Sequence, residues 1–536
     1  MWNKITIFIS TVKDLKIRQV YYFLLHILKK KEFNFNKFTK QKYILQKNQK
    51  PFFLIKNNSL DLKKKTFSFG LITKRVNFNN WSYKPPNLLW EYNLFYFDFL
   101  FSRKFISNKS LCLKLINKWI FISYLKKKHT MWDAYPTSIR LINLIKFCIF
   151  HNINSFKINE SIFNHIEHLK KNLEYRLDAN HLLTNLIAIN FGNLFLKNED
   201  NTSLEYEKIL FNEIKIQFEN YLHYEKTPSY HNLLTEKLIE YMIVKKYLKI
   251  KISNNEYLLI KNLINTSKNF SHPDNYPVFF NDTNFDCLNF KQLEKLFKIN
   301  FKKINFSFSE KQLDRSFLVL KNKKIFLISK CCGPNPVFNP GHSHADALSF
   351  EVSLNNKRFI INKGISTYSD IDQRNKERST KFHNCLYIND QNSSQIWSLF
   401  RIGKKSKIKE LNINLKKKII ECTHDGFSKI FKNILHKRRW NLISNKIFID
   451  DKIIGYNDGF FLNFHFSPAI KLFYKNNQSV SFKIGRSYGL IHFSNSKKIL
   501  IKNSFYYPKF GYKKRIKSLI IECNGLKNKT EIVVKK

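Results

Sequence analysis

The sequence predicts a chain whose helices come first and whose sheets follow, with an antiparallel β-sandwich as the second part. The first observation is the spacing of apolar residues, which is three to four from about residue 85 to about residue 300 and two after about residue 305. The second is composition: 43% hydrophobic and 16% aromatic residues are typical of a packed protein and exclude a disordered one. At 536 residues the chain is long enough for two or three domains.

Residues 1–80 form a basic, Asn- and Lys-rich lead-in, for which the sequence predicts one or two helices. Its start, MWNKITIFISTVKDLKIRQVYYFLLHILKKK, matches a secretory signal poorly because Lys13, Lys16 and Arg18 interrupt short apolar runs. It predicts an amphipathic helix, for which packing on its own domain is favoured over contact with an anionic membrane surface. No apolar run in the sequence reaches the roughly 18 residues of a transmembrane helix.

The charge of the chain indicates anionic partners. Lys and Arg total 93 against 40 Asp and Glu, a formal net charge of +53, which favours nucleic acid, an anionic membrane surface or an acidic polysaccharide. The lysines are spread over the whole chain beside abundant Asn, Ile and Phe, so A/T-rich codon usage is the simpler source of most of this charge. Because no nucleic-acid reader motif is recognisable, we expect no nucleic-acid partner.

The eight cysteines predict buried thiols. They contain no C-x-x-C pair, and most lie in apolar runs such as KFCIF. This pattern argues against a disulfide framework and against a cysteine-based zinc cluster.

The helical part contains five strongly periodic segments separated by short polar or Pro-containing connections such as WDAYPTS and YEKTPSY. They are LLWEYNLFYFDFLFS, SIRLINLIKFCIF, NHLLTNLIAINFGNLFL, YEKILFNEIKIQFENYL and YHNLLTEKLIEYMIVKKYL. Successive amphipathic helices without intervening strands predict a bundle, a solenoid or a helical toroid.

The sheet part begins with two hairpins, SFLVLKNKKIFLIS and LSFEVSLNNKRFIIN, which turn at KNK and NN. The alternation continues to the C-terminus through HNCLYIND, KIIECTHDG, RRWNLISNKIFIDDKIIG and FFLNFHFSP. A long antiparallel meander of this kind predicts a β-sandwich.

The segment NPGHSHADALSFEVSL places His342, His344 and Asp346 at alternate positions. On a strand these three side chains would share one face, where they could bind a metal or a polar substrate, or be a solvated strand end. A metallo-β-lactamase signature requires a further His where Ala347 stands, and an amidohydrolase barrel requires alternating strands and helices.

Two predicted helices begin with polar pairs, Asn180–His181 and Tyr230–His231. Polar side chains at several helix starts can line one rim, where the oriented backbone N–H groups favour anions. Taken singly, His181 and His231 are more typical of capping or satisfied core histidines than of catalytic ones.

Six segments in order resemble the heparinase II/III-like polysaccharide lyases and their alginate-lyase-like relatives: WEYNLFYFDFL, WDAYPTSIRLIN, NHLLTN, HYEKTPSYHNLL, NPGHSHADALSFE and RSTKFHNCLYIND. The resemblance covers roughly residues 80–400. It implies an incomplete α/α toroid at 81–304 and an antiparallel β-sandwich at 305–536. It also implies β-elimination at a uronic acid of an anionic polysaccharide.

The resemblance also implies roles for individual residues. Asn180, His181 and His342 surround the substrate carboxylate, and Tyr230 works at the scissile bond as acid and, with a pKa lowered by a basic pocket, as base. The remaining substrate-binding residues are His231, Arg140 and Arg378. The alternative is a polysaccharide-binding protein of surface-polysaccharide assembly that keeps the toroid without turnover.

A divalent metal, commonly zinc, is implied in the sandwich at His344, Asn362 and His383, with a structural role. Relatives commonly carry Asp where Asn362 stands, and the amide lowers the expected affinity or leaves a hydrogen-bonded remnant. Asp346 is expected to orient a histidine. The family resemblance implies a periplasmic or cell-envelope location, and a cytoplasmic one follows if the N-terminus is not a signal.

Overall fold

The computed structural model describes residues 4–28, 33–36, 38, 50–57, 59–197, 201–302, 304, 314–429 and 433–535. Helices dominate as far as residue 300 and strands dominate from residue 317, which confirms the predicted order. Residue 305, the predicted start of the sandwich, lies outside the described residues. No helix in these ranges is long and apolar enough to cross a membrane.

Thirteen α-helices lie in the described part of the chain. They are α1 (Lys4–Val12), α2 (Ile17–Leu28), α3 (Leu88–Phe95), α4 (Arg103–Ile106), α5 (Lys109–Leu125), α6 (Ala134–His151), α7 (Phe156–Lys171), α8 (Ala179–Leu196), α9 (Asn201–Gln217), α10 (Pro228–Tyr247), α11 (Asn254–Asn269), α12 (Phe290–Asn300) and α13 (Ile371–Arg378). Short 3₁₀ helices occupy Asp98–Phe101, Thr130–Trp132, Glu219–Tyr221, Thr380–Phe382 and Gly426–Lys429.

The toroid has an inner and an outer layer of helices. Helices α6, α8 and α10 are buried along nearly their whole length, and α8 packs on both of the others. Helices α7, α9, α11 and α12 bury one face each. A helix that is apolar all round belongs in an inner layer, whereas a one-sided helix covers it.

Local sequence signals set several helix starts. Pro228 occupies the first turn of α10, where its missing N–H costs no hydrogen bond. Capping boxes begin α11 and α12, formed by Ser253 with Glu256 and by Asn289 with Gln292. These signals place Tyr230 in the first turn of α10.

The lead-in contains the two predicted helices, α1 and α2, and also most of a small sheet that the sequence did not predict and whose last strand lies just beyond residue 80. Its strands pair in chain order and are β1 (Leu60–Asp61), β2 (Thr66–Phe69), β3 (Ile72–Asn77) and β4 (Ser82–Tyr83). Phe67 packs edge-on against Trp90 of α3 at 5.1 Å, so this sheet joins the core of the toroid. Strands this short and Lys-rich give little apolar alternation to detect.

Eighteen further strands form the second part of the described chain. They are β5 (Phe317–Lys321), β6 (Ile325–Lys330), β7 (Phe350–Leu354), β8 (Lys357–Ile360), β9 (Leu386–Tyr387), β10 (Ile396–Ser398), β11 (Arg401–Ile402), β12 (Ile408–Asn414), β13 (Ile419–His424), β14 (Leu435–Ile443), β15 (Lys446–Ile454), β16 (Phe460–His465), β17 (Ile470–Asn476), β18 (Ser479–Ile484), β19 (Ser487–Phe493), β20 (Ser496–Tyr506), β21 (Lys514–Cys523) and β22 (Lys527–Lys535).

The main sheet of the sandwich has eight strands in the order β12-β13-β14-β15-β22-β19-β18-β17. Two four-stranded sheets, β20-β21-β16-β9 and β5-β6-β7-β8, share a core with it. Phe350 of β7 contacts Trp440 of β14 and Phe464 of β16, and all three side chains are buried. The strand pairs are antiparallel, as the sequence predicted.

The connection between α11 and α12 links the toroid to the sandwich. Phe280 of this connection stacks on Phe317 of β5, with ring centroids 5.1 Å apart. His272 lies 2.7 Å from the buried carboxylate of Glu351 in β7. These contacts hold the connection on the sandwich, and Asp282 follows Phe280 by two residues.

Candidate active site at the junction of the toroid and the sandwich

The motif that carries His342 and His344 lies in a loop, and β7 begins only at Phe350. The prediction that the two histidines and Asp346 share one strand face is therefore wrong. Pro340 lies within the segment and cannot donate to a strand ladder, which favours the irregular backbone.

Asp282 brings the two histidines together. Its Oδ2 accepts from His342 Nδ1 at 2.8 Å, and its Oδ1 accepts from His344 Nε2 at 2.7 Å. The guanidinium of Arg374 in α13 donates to both oxygens, with Nη2 2.6 Å from Oδ2. Asp282, His344 and Arg374 are almost completely buried.

The Asp282 carboxylate is ionised. Burial alone would raise its pKa, but Arg374, His342 and His344 hold the pKa well below its ordinary value. A carboxylate accepts hydrogen bonds, so Nδ1 of His342 carries the proton. With the proton on Nδ1, a ring that carries a single N–H has its free electron pair on Nε2, the arrangement that a general base requires.

The ring of Tyr230 packs against His342, with centroids 4.1 Å apart. Its hydroxyl lies 3.0 Å from the hydroxyl of Tyr368, which comes from the sandwich part of the chain. The pKa of Tyr230 is raised well above its ordinary value, mainly by burial and further by Tyr368 and Asp282. The expectation that a basic pocket lowers this pKa is therefore wrong, and Tyr230 is a neutral proton donor.

Asn180 lies in the first turn of α8 and is held by Glu225. Its Nδ2 and its backbone N–H both donate to Glu225 Oε1, at 2.8 and 3.1 Å. Both residues are buried, and the outer oxygens, Asn180 Oδ1 and Glu225 Oε2, have no hydrogen-bond partner within the described residues. The amide N–H₂ expected to reach a substrate carboxylate thus already faces a carboxylate of the protein.

His181 is the more accessible member of this pair, with 29% of its side chain exposed. Its Nδ1 lies 3.1 Å from Glu174 Oε1, and its ring packs on Tyr135. Burial would raise the pKa of Glu174, but His181 and Asn185 lower it overall. Glu174 therefore fixes the orientation of the imidazole while one edge stays open to solvent.

Comparison with known proteins agrees with the fold. Residues 313–535 match the family model described as Heparinase II/III-like, C-terminal. This part of the chain is a heparinase II/III-like domain. No curated protein sequence matches the chain.

Solved structures show that the fold extends over the helical part as well. A crystal structure of heparinase III aligns with a TM-score of 0.69 and 16% identity, covering 85% of this chain and 79% of that chain. A heparinase III gene product aligns with a TM-score of 0.64 and 16% identity, covering 86% of this chain and 81% of that chain. A heparan sulfate lyase from Pedobacter heparinus aligns with a TM-score of 0.58 and 14% identity, covering 88% of this chain and 81% of that chain. These likenesses confirm the predicted toroid followed by a sandwich.

Three residues expected to bind substrate are buried and bonded inside the protein. Arg140 donates to His165 Nε2 and to backbone carbonyls, and it stacks on Trp119. Arg378 donates to four backbone carbonyls of the heparinase-like domain. His231 lies 2.9 Å from the carbonyl of Leu263. Because all three side chains are fully buried, their predicted role in substrate binding is wrong, and they support the chain around the site.

The residues predicted to bind zinc do not converge. Nδ1 of His344 and Nε2 of His383 face each other at 3.0 Å, but Asn362 Oδ1 lies 3.2 Å from the opposite nitrogen of His383. Asn362 Oδ1 also accepts from Ser349 Oγ at 2.9 Å. No group of three His, Cys, Asp or Glu residues in the described ranges could hold a metal ion. The three-residue set therefore does not fit a zinc site.

The protonation states of His344 and His383 follow from their burial and their hydrogen-bond partners. Burial lowers the pKa of His344 to about 4 and that of His383 to about 3, so both rings are neutral and each carries one N–H. His344 uses its N–H for Asp282, and His383 uses its N–H for Asn362, if tautomers follow their acceptors. In these tautomers both facing nitrogens are acceptors, so a hydrogen bond across their 3.0 Å contact requires one ring to adopt its other tautomer.

Asp346 does not orient a histidine. It pairs with the ammonium group of Lys330, and both side chains are fully buried. Burial would raise the pKa of Asp346, but Lys330 and the nearby histidines lower it to about 2. The predicted role of Asp346 as a histidine partner is wrong, and Asp282 has that role instead.

Removing divalent metals is expected to change the melting temperature by less than about 2 °C, because two imidazoles without a third ligand bind zinc weakly. Calorimetry of chelator-dialysed protein, with and without one equivalent of zinc, measures this. His383→Gln is the matched variant, since it removes one of the facing nitrogens. A rise of several degrees with zinc, lost in His383→Gln, would show that a third ligand completes a real site.

Sequence reasoning missed four residues of the site: Asp282, Arg374, Tyr368 and Glu225. The one signal for Asp282 was an Asn–Asp pair directly after the apolar run YPVFF. Tyr368 follows the FIINKG segment by a few residues, and Arg374 precedes RSTKFHN by one helical turn. Nothing in their local pattern distinguishes them from ordinary surface positions.

Proposed function

We propose that the protein is a polysaccharide lyase that cleaves a uronic-acid-containing anionic polysaccharide by β-elimination. The observation that carries this proposal is the contact of a neutral phenol, Tyr230, with an imidazole, His342, whose tautomer is set by a buried carboxylate, Asp282. An acid and a base of different proton affinity, side by side, suit a reaction that removes one proton and delivers another.

The proposed elimination moves one proton onto His342 and another from Tyr230 onto the leaving group. Nε2 of His342 takes the proton from C5 of the uronate, and the released electron pair forms a double bond between C4 and C5. The bond between C4 and the glycosidic oxygen breaks, and the Tyr230 hydroxyl protonates the leaving oxygen. The imidazolium then loses its proton to solvent and the phenolate regains one from solvent, which restores the starting state.

The substrate carboxylate must be held by cationic or neutral donors while charge builds up on it. We propose that Arg176 and Arg401 supply this charge beside His181. Arg176 precedes α8 and is partly exposed, and Arg401 lies in β11 of the sandwich and is exposed. Partial desolvation of the guanidinium, then the nearby Arg176, lowers the pKa of Arg401. An anion between the two guanidiniums would relieve their repulsion.

The alternative is a polysaccharide-binding protein of surface-polysaccharide assembly, and one observation favours it. The reactive groups already have partners in the chain: the Tyr230 hydroxyl contacts Tyr368, and the Asn180 amide contacts Glu225. Catalysis would require substrate to displace at least one of these contacts, whereas binding to the surface would not. Either function suits the periplasmic or cell-envelope location that the resemblance implies, which stays a prediction.

An ultraviolet screen over anionic polysaccharides separates the two functions. Heparan-type, alginate-type and glucuronate capsular polymers are incubated with the protein, and the absorbance of the new C4–C5 double bond is followed. Polymer binding is measured on the same panel by calorimetry. A lyase raises the absorbance with at least one polymer that it binds. Binding without any rise in absorbance would contradict the lyase proposal and support the assembly protein.

A further inference from the structure

The N-terminal helices attach to the rest of the protein through polar side chains. Lys16 lies 3.0 Å from Asp178, and Arg18 bridges Asp178 and Glu213 at 3.2 Å. Gln19, in the first turn of α2, is buried. The face that α2 turns toward the toroid is therefore charged and polar.

The helix pair reaches the sandwich in the same way. Asp14, between α1 and α2, pairs with Lys405 at 2.7 Å, and Thr11 of α1 accepts from the indole N–H of Trp397 at 3.1 Å. The two helices thus bridge both parts of the protein with hydrogen bonds and ion pairs.

The opposite face of the pair is apolar and exposed to solvent. Ile17 is 89% exposed and Leu28 is 80% exposed. Other exposed large apolar side chains of the two helices include Phe8 (61%), Ile9 (56%), Tyr21 (57%), Phe23 (49%), Leu24 (55%) and Ile27 (63%). An amphipathic helix of a globular protein normally turns its apolar side inward. The segment does pack on its own protein, as predicted, but through its polar side, which leaves the apolar side exposed.

We propose that helices α1 and α2 lie in the interface of an anionic lipid bilayer, with this apolar face buried among the acyl chains. A contiguous exposed apolar patch marks an interaction surface. With 9 and 12 residues, neither helix approaches the roughly 20 residues that span a bilayer, so the pair lies along the surface. The inference does not depend on lyase activity.

Charge identifies the lipid as anionic. Lys13 lies between the two helices and is exposed, and Lys29, Lys30 and Lys31 follow α2 directly in the sequence. The one acidic residue among residues 1–31 is Asp14, which is neutralised by Lys405. Apolar helices with lysines next to them in the sequence are typical of segments that bind anionic membrane surfaces.

The position of the helices brings such a membrane close to the candidate active site. Asp178, which binds Lys16 and Arg18, is the N-cap residue of α8, and Asn180 follows two residues later. The ammonium group of Lys16 also lies 3.7 Å from the ring centre of Phe338, four residues before His342. A bilayer under α1 and α2 would hold the junction of the two domains near its surface.

Vesicle co-sedimentation of the full chain tests this proposal. The vesicles contain phosphatidylcholine alone or phosphatidylcholine with phosphatidylglycerol at roughly three to one. We expect binding to the anionic vesicles to be at least about tenfold tighter, and to weaken as salt screens the lysines. Phe8→Gln combined with Leu24→Gln is expected to weaken binding by on the order of 30-fold or more, since two large apolar side chains no longer enter the bilayer.

The matched control is Phe121→Gln combined with Leu125→Gln, on α5. These two side chains are 62% and 71% exposed, so the control removes a similar apolar area elsewhere, and we expect it to bind as wild type does. Equal melting temperatures show that both variants are folded. Wild-type binding by the Phe8/Leu24 variant would overturn the proposal. The proposal would also be overturned if sedimentation velocity showed that the wild-type protein is a dimer and that only the Phe8/Leu24 variant is a monomer. The apolar face would then bind a second copy of the protein.

Discussion

Tyr230→Phe is expected to lower turnover by at least ~100-fold while changing polysaccharide affinity by less than about threefold. The phenylalanine ring keeps the packing on His342, so the site should stay assembled. What is lost is the hydroxyl, whose raised pKa keeps it a proton donor and which acts mainly on the leaving oxygen in the transition state. Initial rates of double-bond formation, with binding measured separately, give the two quantities.

Tyr387→Phe is the matched control for this experiment. Tyr387 is a mostly buried tyrosine stacked on Phe461 in the sandwich, and its loss should leave turnover unchanged. A Tyr230→Phe protein that keeps more than about a tenth of wild-type turnover would exclude the hydroxyl as the acid. A parallel loss of affinity and turnover would instead indicate that Tyr230 only shapes the binding surface.

Asp282→Asn is expected to lower both the stability of the fold and the turnover. The amide removes the negative charge between His342, His344 and Arg374 and leaves the buried guanidinium without a counter-ion, which typically costs about 3–5 kcal/mol of unfolding free energy. We therefore expect the melting temperature to fall by at least roughly 5 °C. Because an amide N–H₂ would face other donors, the proton on Nδ1 of His342 would lose its acceptor, and kcat should fall by ~100-fold or more.

Asp451→Asn separates these two effects. Asp451 is an equally buried carboxylate that binds Arg438 and His436, both at 2.7 Å, on the main sheet of the sandwich. The Asp451→Asn variant should lose a similar amount of unfolding free energy but keep the wild-type kcat per folded molecule. Activity is measured well below both melting temperatures. If the two variants lose kcat equally, Asp282 has only a structural role. A KM effect without a kcat effect in Asp282→Asn would place it in substrate binding.

The order of helices and strands was determined by the sequence alone. The spacing of apolar residues reports which side of each element is buried, and that property is local. The start of α10 at Pro228 and the hairpin turn after β7 follow from the chemistry of single residues. The family resemblance of six ordered segments singled out Tyr230 and His342, which the structure brings into ring contact.

Only the tertiary structure decided which polar groups become partners. Asp282 lies 60 residues before His342 and 92 residues before Arg374 in the chain, and no periodic pattern links positions so far apart. Arg140 and Arg378 carry the same charge in the sequence as any surface arginine, yet the fold buries both among backbone carbonyls. Helices α1 and α2 show amphipathic spacing, but ion pairs with Asp178 and Lys405 turn their apolar face outward. Local patterns encode burial by periodicity, whereas hydrogen bonds and ion pairs form wherever packing places their atoms within reach.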